Sequence, residues 1–224
     1  MFMLEFLVST LAPHICVVCR KEGAPICYDC IVAHCSYDTA YCYCCSNSNA
    51  THGICANCRT KNPLDRVFSG VTYGNVALKL VRGLKFERNK AMASCLASWI
   101  LANFSLPTGV VVTHVPTANS RVRLRGYDQA KLIAQCLAKQ AGLPYKELLS
   151  RRSKTRQVGS NRADRFLQLN NAFGILQPRY VAHRQILIVD DVVTTGATLE
   201  QAAITLKLAG AHKVTAATFA HQPK

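Results

Sequence analysis

Acidic side chains are scarce in this chain of 224 residues: 12 Asp and Glu stand against 27 Lys and Arg, a formal net charge of +15 at pH 7 with histidine neutral. That imbalance implies an anionic partner, nucleic acid or polyphosphate, with an anionic membrane surface as a weaker option. Long apolar runs are missing as well. No stretch reaches the roughly 18 residues of a membrane span, which excludes a helical integral membrane protein. The opening "MFMLEFLVSTLAPH" lacks the basic n-region and cleavage site of a signal peptide, so the expected location is the cytoplasm. That opening is expected to form a short amphipathic helix stopped near Pro13. No low-complexity tract is found, and the length suits one sizeable domain plus a small one.

Aliphatic residues are also sparse from Met1 to about Asn62, too few for a core, and cysteine takes their place. Of the 12 cysteines, all but Cys95 and Cys136 lie between Cys16 and Cys58. Cys16/Cys19, Cys27/Cys30, Cys42/Cys45 and Cys55/Cys58 are C-x-x-C knuckles. Paired thiolates at that spacing converge on one tetrahedral ion, so the knuckles could form two closed Cys₄ zinc sites, and bound metal would supply the folding energy. A disulfide framework is the alternative, disfavoured without a secretory signal; a redox C-x-x-C suits so dense a cluster less well. Cys42 and Cys44 compete with Cys45 for the metal in "CYCC". His14, His34 and His52 are near enough to substitute for a thiolate, but read better as surface histidines. Cys35 is left over, and Cys95 and Cys136 read as small core residues of helices. "KNPLD" at 61–65 marks the expected boundary between a domain at 1–62, comprising the helix and the Cys-rich finger, and a second at 63–224.

The second region alternates. Strands are expected at 67–73, 109–116, near 147–149, at the aliphatic run Ile186–Val189 and at 214–219. Helical stripes fall on Ala77, Leu80, Val81 and Leu84; on Met92, Cys95, Leu96, Trp99 and Ile100; on Ala130, Ile133, Ala134, Leu137, Ala138 and Ala141, ended by Gly142; and on Leu199, Ala202, Ala203 and Leu206, ended by Gly210. The fold class is therefore α/β: a parallel sheet with helices on both faces and right-handed crossovers.

The stretch "ILIVDDVVTTGATL" at 186–199 carries the chemistry. A buried strand ends in Asp190 and Asp191, and a loop of small and hydroxyl residues enters a helix. Free backbone N–H groups and the positive end of the helix dipole suit a phosphate there. Two carboxylates would repel a bare phosphate, so the ligand should also bring hydroxyls or a metal ion. A phosphorylated sugar meets both demands. Two helix-capping Asp residues beside a Thr-rich turn are the bland alternative.

Two basic segments interrupt the alternation. "VPTANSRVRLRGYDQ" at 115–129 leaves a strand end at Pro116 and Thr117 and carries Arg121, Arg123 and Arg125, expected on one side of an extended segment facing a diphosphate. A solvated basic loop is the alternative. "SRRSKTRQVGSNRADRF" at 150–166 reads as a closing lid or as a nucleic-acid strip through Arg151, Arg152, Lys154, Arg156, Arg162 and Arg165, with Tyr127 and Phe166 as candidate stacking faces.

The pattern D-D-x-x-T-T-G-x-T after an aliphatic run resembles the phosphoribosyl pyrophosphate (PRPP) signature of type I phosphoribosyltransferases. The resemblance implies that Asp190 and Asp191 hold ribose hydroxyls, that Thr194, Thr195, Gly196, Ala197 and Thr198 hold the 5′-phosphate, and that Mg²⁺ accompanies PRPP. Purine-salvage members of that fold carry a third acidic residue where Thr194 stands here, which argues against purine salvage. The knuckles, "LAPHICVVC", "LVRGLKF" at 80–86, "VPTANSRVRLRGYDQA" and "TRQVGSNRADRFLQLNNAF" together resemble the ComF family, a cysteine-rich finger joined to a phosphoribosyltransferase-like domain. Departures are Tyr127 and Asp128 in place of "FN", and "CYCCS" in place of "CxxCG". The ComF resemblance implies a part in handling single-stranded DNA during natural transformation, with a ComF-type helicase and other competence proteins as partners. An active phosphoribosyltransferase of unknown acceptor and a PRPP-sensing regulator are the alternatives.

Overall fold

The computed structural model describes residues 14–35, 41–47, 50, 53–87, 89–152 and 172–222. The expected N-terminal helix and the larger part of the basic segment, with Lys154, Arg156, Arg162, Arg165 and Phe166, lie outside the described residues.

Two short helices, α1 (Tyr28–His34) and α2 (Ala56–Arg59), belong to the cysteine-rich part. Then come β1 (Arg66–Thr72), α3 (Asn75–Phe86), α4 (Ala91–Asn103), β2 (Val111–His114), α5 (Asn119–Arg125), α6 (Gln129–Ala141), β3 (Leu149–Arg151), β4 (Phe173–Ile175), β5 (Gln185–Val193), α7 (Ala197–Leu208) and β6 (Lys213–His221). The main sheet has four strands in the order β1-β6-β5-β2, and every neighbouring pair is parallel.

Strand alternation divides the core into two layers. Phe68, Val112, Leu187, Val189, Ala217 and Phe219 join one apolar cluster with α3, α4 and α6. Val67, Val111, Ile186, Ile188, Val214 and Ala216 join the other with α7. Successive strand residues point to opposite faces, so a run such as Ile186–Val189 serves both layers at once. Burying one aliphatic side chain of this size contributes about 1.5–3 kcal/mol. Leu206→Ala, at a side chain that is fully buried, should therefore cost about 2–5 kcal/mol with its cavity.

The helix ends follow local chemistry. Asp128 caps α6 by accepting from Lys131 N, as a short side-chain acceptor does at an exposed helix start. Gly142 closes the same helix at φ +64°, a conformation costly to residues with a Cβ.

Two expectations need correction. Residues 119–125 are helical, so Arg121, Arg123 and Arg125 do not alternate along an extended segment: one helical turn brings Arg121 and Arg125 to a common face and turns Arg123 away. The segment expected near 147–149 leaves the parallel sheet. Lys146 N still donates to Val112 O at 2.9 Å, and Tyr145 bridges Val112 in parallel, but β3 then pairs antiparallel with β4 in a separate two-stranded sheet. Pro144, with no N–H to offer, begins that edge.

The cysteine-rich part clasps the domain from both sides. Cys16, Ile26, Cys30, Ile31 and Cys35 share the cluster of α3, α4 and α6. Cys42, Tyr43, Ile54, Cys55 and Leu64 share that of α7. Asp65 ties the crossing to the sheet: its Oδ2 accepts from Val214 N at 2.7 Å and meets Lys207 Nζ at 2.8 Å.

Candidate ligand site and metal centres

The carboxyl ends of β2 and β5 lie side by side, with Val115 N donating to Val189 O at 3.0 Å. In parallel sheets this edge is where helix N-termini and loops converge on ligands. β5 runs through both aspartates to Val193. Asp191 is buried and pairs with Lys85 of α3, Oδ2 to Nζ 2.6 Å. Asp190 Oδ1 accepts from Asp191 N at 2.8 Å. Loss of water around its carboxyl, then the charge of Asp191, raises the pKa of Asp190 well above the usual carboxylate range, with the Asp191 N–H and Lys85 pulling the other way. A carboxyl so placed gains from a ligand that brings hydroxyls or a cation.

After β5, Thr194 and Thr195 are exposed and Gly196 is buried. Gly196 takes φ +81° at the N-cap of α7. Ala197 N donates to Thr195 Oγ1 at 3.4 Å, and the exposed Ala197 and Thr198 open the helix. The loop offers an anion the unpaired N–H groups of a helix of 12 residues at its positive end.

On the β2 side, Asp128 organises the turn. Its carboxylate accepts from Thr117 N at 2.7 Å and Thr117 Oγ1 at 3.1 Å, and lies 3.9 Å from His114 Nε2. Tyr145 Oη meets His114 Nδ1 at 2.9 Å. Burial holds the His114 pKa below its ordinary value, while Asp128 and Glu147 oppose that shift and Lys131 adds to it. Arg151 joins this edge too, donating to Pro116 O at 3.3 Å and lying 5.6 Å from the Phe173 ring.

Of the sequence-predicted residues, Asp190, Asp191 and Thr194 through Thr198 share one strand-loop-helix, with Pro116 and Thr117 on the neighbouring strand end. Arg121 and Arg123 are exposed on α5. Arg125 donates to Gln129 Oε1 at 2.8 Å and lies 5.1 Å from the Phe86 ring. Arg152 is exposed beside β3. Tyr127 is not a stacking face: it is buried and its hydroxyl donates to Leu84 O. Lys85, His114 and Tyr145 went unnoticed in the sequence, where nothing marks a lysine at the end of an amphipathic helix as an aspartate's partner. Asp128 had a visible signal, an acidic residue directly before a helical stripe.

The knuckles pair in sequence order. Cys16, Cys19, Cys27 and Cys30 form one tetrad and Cys42, Cys45, Cys55 and Cys58 the other, all Sγ atoms of each within 4.8 Å of one another. Cys19 and Cys27 are 3.6 Å apart, Cys45 and Cys55 3.7 Å. The edge of a ZnS₄ tetrahedron is about 3.8 Å for Zn–S of about 2.3 Å, whereas a disulfide needs about 2.05 Å. Both tetrads therefore fit a tetrahedral ion. Burial opposes ionisation of Cys16, but the N–H groups of Cys19, Cys27 and Val18 outweigh it and bring the thiol down to about 6. Cys42 is brought down to about 6 in the same way by Cys55, Cys45 and Cys44. Cys44 is not a ligand in this set; its Sγ accepts from Asn62 Nδ2 at 3.2 Å. Cys35 is buried and pushed up to about 11, the behaviour of a core thiol. Cys95 and Cys136 are half-buried against the α3–α4–α6 cluster.

A family model described as "Phosphoribosyl transferase domain" matches residues 128–224. The DNA utilization protein YhgH of Escherichia coli is 30% identical over 218 residues, spanning 90% of this chain and 94% of that protein. Competence protein F of Haemophilus influenzae is 26% identical, over 89% of this chain and 87% of its own. Competence protein ComFC of Bacillus subtilis is 25% identical, over 82% and 78% respectively.

Proposed function

The chain belongs to the ComF family, and from that premise we propose that it binds PRPP, or a closely related sugar phosphate, with Mg²⁺, and handles single-stranded DNA during uptake. The observation that carries the ligand reading is the strand, loop and helix of 185–208: a left-handed Gly196 follows the exposed Thr194 and Thr195 at the start of α7, and the strand before it carries a carboxyl, Asp190, raised in pKa by burial and by its acidic neighbour. The loop amides take the 5′-phosphate, Asp190 and Asp191 take the ribose hydroxyls, and Arg151 and the Thr117 turn lie on the diphosphate side. Mg²⁺ would neutralise the diphosphate and polarise it. The zinc ions are structural, four thiolates closing each tetrahedron with no position left for water.

The DNA reading rests on charge. A diphosphate sugar uses few cations, and an excess of +15 leaves most of the basic surface for a longer polyanion. Among the described residues no helix is long and apolar enough to cross a membrane, and the cytoplasm is the proposed place of action, with a ComF-type helicase as partner.

Calorimetric titration with PRPP and Mg²⁺ tests the ligand: the parent binds, Asp190→Asn with Asp191→Asn does not, and equal affinity in both discards the assignment. For DNA, log affinity plotted against log salt should fall with a slope of roughly −0.7 per neutralised phosphate. Replacing Arg152, Lys154, Arg156 and Arg162 by Ala should flatten it; an unchanged slope removes this strip from the interface.

A further inference from the structure

The second cysteine tetrad reaches the ligand loop through one side chain. Tyr43 follows the ligand Cys42 in the chain, and its backbone N donates to Gly53 O at 3.1 Å across the knuckle. Its ring lies where a side chain on Gly196 would have to be: a Cβ there would come within 2.2 Å of Tyr43 Cε2 and 2.8 Å of Cδ2. Its hydroxyl donates to Glu200 Oε1 at 2.9 Å, in the first turn of α7, and accepts from Asn62 Nδ2. Asn62 also donates to Cys44 Sγ and accepts from Leu64 N at 2.9 Å. Tyr43 itself is only 8% exposed. One buried aromatic residue therefore joins a metal knuckle to the glycine that turns the loop and to the acidic residue one helical turn beyond it.

We propose that Tyr43 is a positioning residue for the 194–198 loop, so that metal binding at Cys42, Cys45, Cys55 and Cys58 and anion binding at the N-terminus of α7 are linked. The proposal rests on the sugar-phosphate reading of that loop. The physical reason lies in Gly196: without a Cβ it has many backbone conformations open to it, and its loop amides converge on a phosphate only while something outside the loop holds it at φ +81°. The Tyr43 ring fills the space on that side. The hydroxyl has a second task. Glu200 Oε1 lies 3.5 Å from the same Cβ position, and an acidic side chain in the first turn is attracted to the N–H groups a phosphate would use. The bond from Tyr43 gives that carboxylate a donor of its own and so competes with those N–H groups for it. Metal loss removes the knuckle's folding energy, and Tyr43 leaves with it. By linkage, a ligand that needs the loop ordered must in turn slow metal loss from this tetrad.

The test uses the full zinc-loaded chain. Tyr43→Ala should accelerate amide hydrogen exchange at residues 195–200 while both metal ions stay bound, and weaken PRPP binding about tenfold. Tyr43→Phe, which keeps the ring and frees Glu200, should weaken it less, and adding Glu200→Gln to Tyr43→Phe should restore most of the loss. Saturating PRPP with Mg²⁺ should slow metal transfer to a chromogenic chelator from the Cys42 tetrad and leave transfer from the Cys16 tetrad unchanged. Unchanged exchange at 195–200 in Tyr43→Ala overturns the proposal whatever the ligand does. If the parent fails to bind PRPP, the sugar-phosphate reading falls, and the exchange experiment still decides whether Tyr43 holds the loop.

Discussion

The two tetrads are each built from a pair of C-x-x-C knuckles and lie against opposite layers of one sheet. Cys16 and Cys30, with Ile26 and Ile31, belong to the apolar cluster that holds Met92, Leu96 and Ile133 of α4 and α6. Around Cys42 and Cys55, the neighbours include Leu199 and Val193 at either end of the ligand loop, and Tyr43 hydrogen-bonds α7 directly. Metal chemistry cannot tell the two apart. What separates them is the element each is pinned to, so the first acts as a clip on the fold and the second as a brace for the site.

The sharpest way to break that contrast is to remove each ion separately. Structural zinc contributes on the order of 10–16 kcal/mol of apparent binding free energy in small fingers, so Cys16→Ser with Cys19→Ser, and Cys42→Ser with Cys45→Ser, should each lose one ion by elemental analysis and several degrees of thermal stability. Calorimetry should then find PRPP affinity kept in the first variant and lost in the second. Equal loss in both would make the two tetrads equivalent.

Asp190 gives the next largest effect, with opposite signs for function and stability. Its folded pKa is raised, so the unliganded fold favours the protonated carboxyl: this stability is present below the unfolded value and is lost as pH rises past it through the folded pKa. Asp190→Asn should abolish PRPP binding while raising the melting temperature by about 2–4 °C. A lower melting temperature in the variant would contradict this account of the carboxyl. Lys85→Met follows. It leaves the buried Asp191 without its cation, and because the lysine side chain is 23% exposed the loss should be about 1–2 kcal/mol, below that of a fully buried pair. Chemical denaturation at neutral pH checks it: an unchanged midpoint in the variant would mean that the pair adds nothing to the fold.

The smallest effect concerns His114. Burial depresses its folded pKa, so the fold favours the neutral ring; this stability is present above about 6.5 and is lost as pH falls through that value toward the folded pKa. The urea midpoint of the parent should therefore drop more between pH 7.5 and 5.5 than that of His114→Gln. Parallel curves would mean that the ring titrates freely.

Much of this was legible in the residues. Aliphatic runs gave β5 and β6 their places because a strand buried on both faces admits little else, and the stripe Ala130–Ala141 with Gly142 behind it predicts α6 nearly to the residue. The D-D-x-x-T-T-G-x-T segment placed strand, loop and helix start in order, since its chemistry is local, although β5 continues past the expected end at the aspartates to Val193. Failures came where neighbours mattered. Arg121, Arg123 and Arg125 gave no apolar stripe to announce α5, and the short β3 found its partner in β4 across an intervening segment that no periodicity bridges.

By itself the sequence determined the crowding of C-x-x-C knuckles before residue 62, the layered α/β order and the strand, loop and helix of 186–199, because each depends on spacings of a few residues along the chain. Tertiary structure alone decided which knuckles pair, that Cys45 and not Cys44 completes the second tetrad, that Lys85 meets Asp191, and that Tyr43 lies on Gly196. These contacts join residues that are far apart in the chain, and only the packing of helices and knuckles on the two faces of the sheet fixes them.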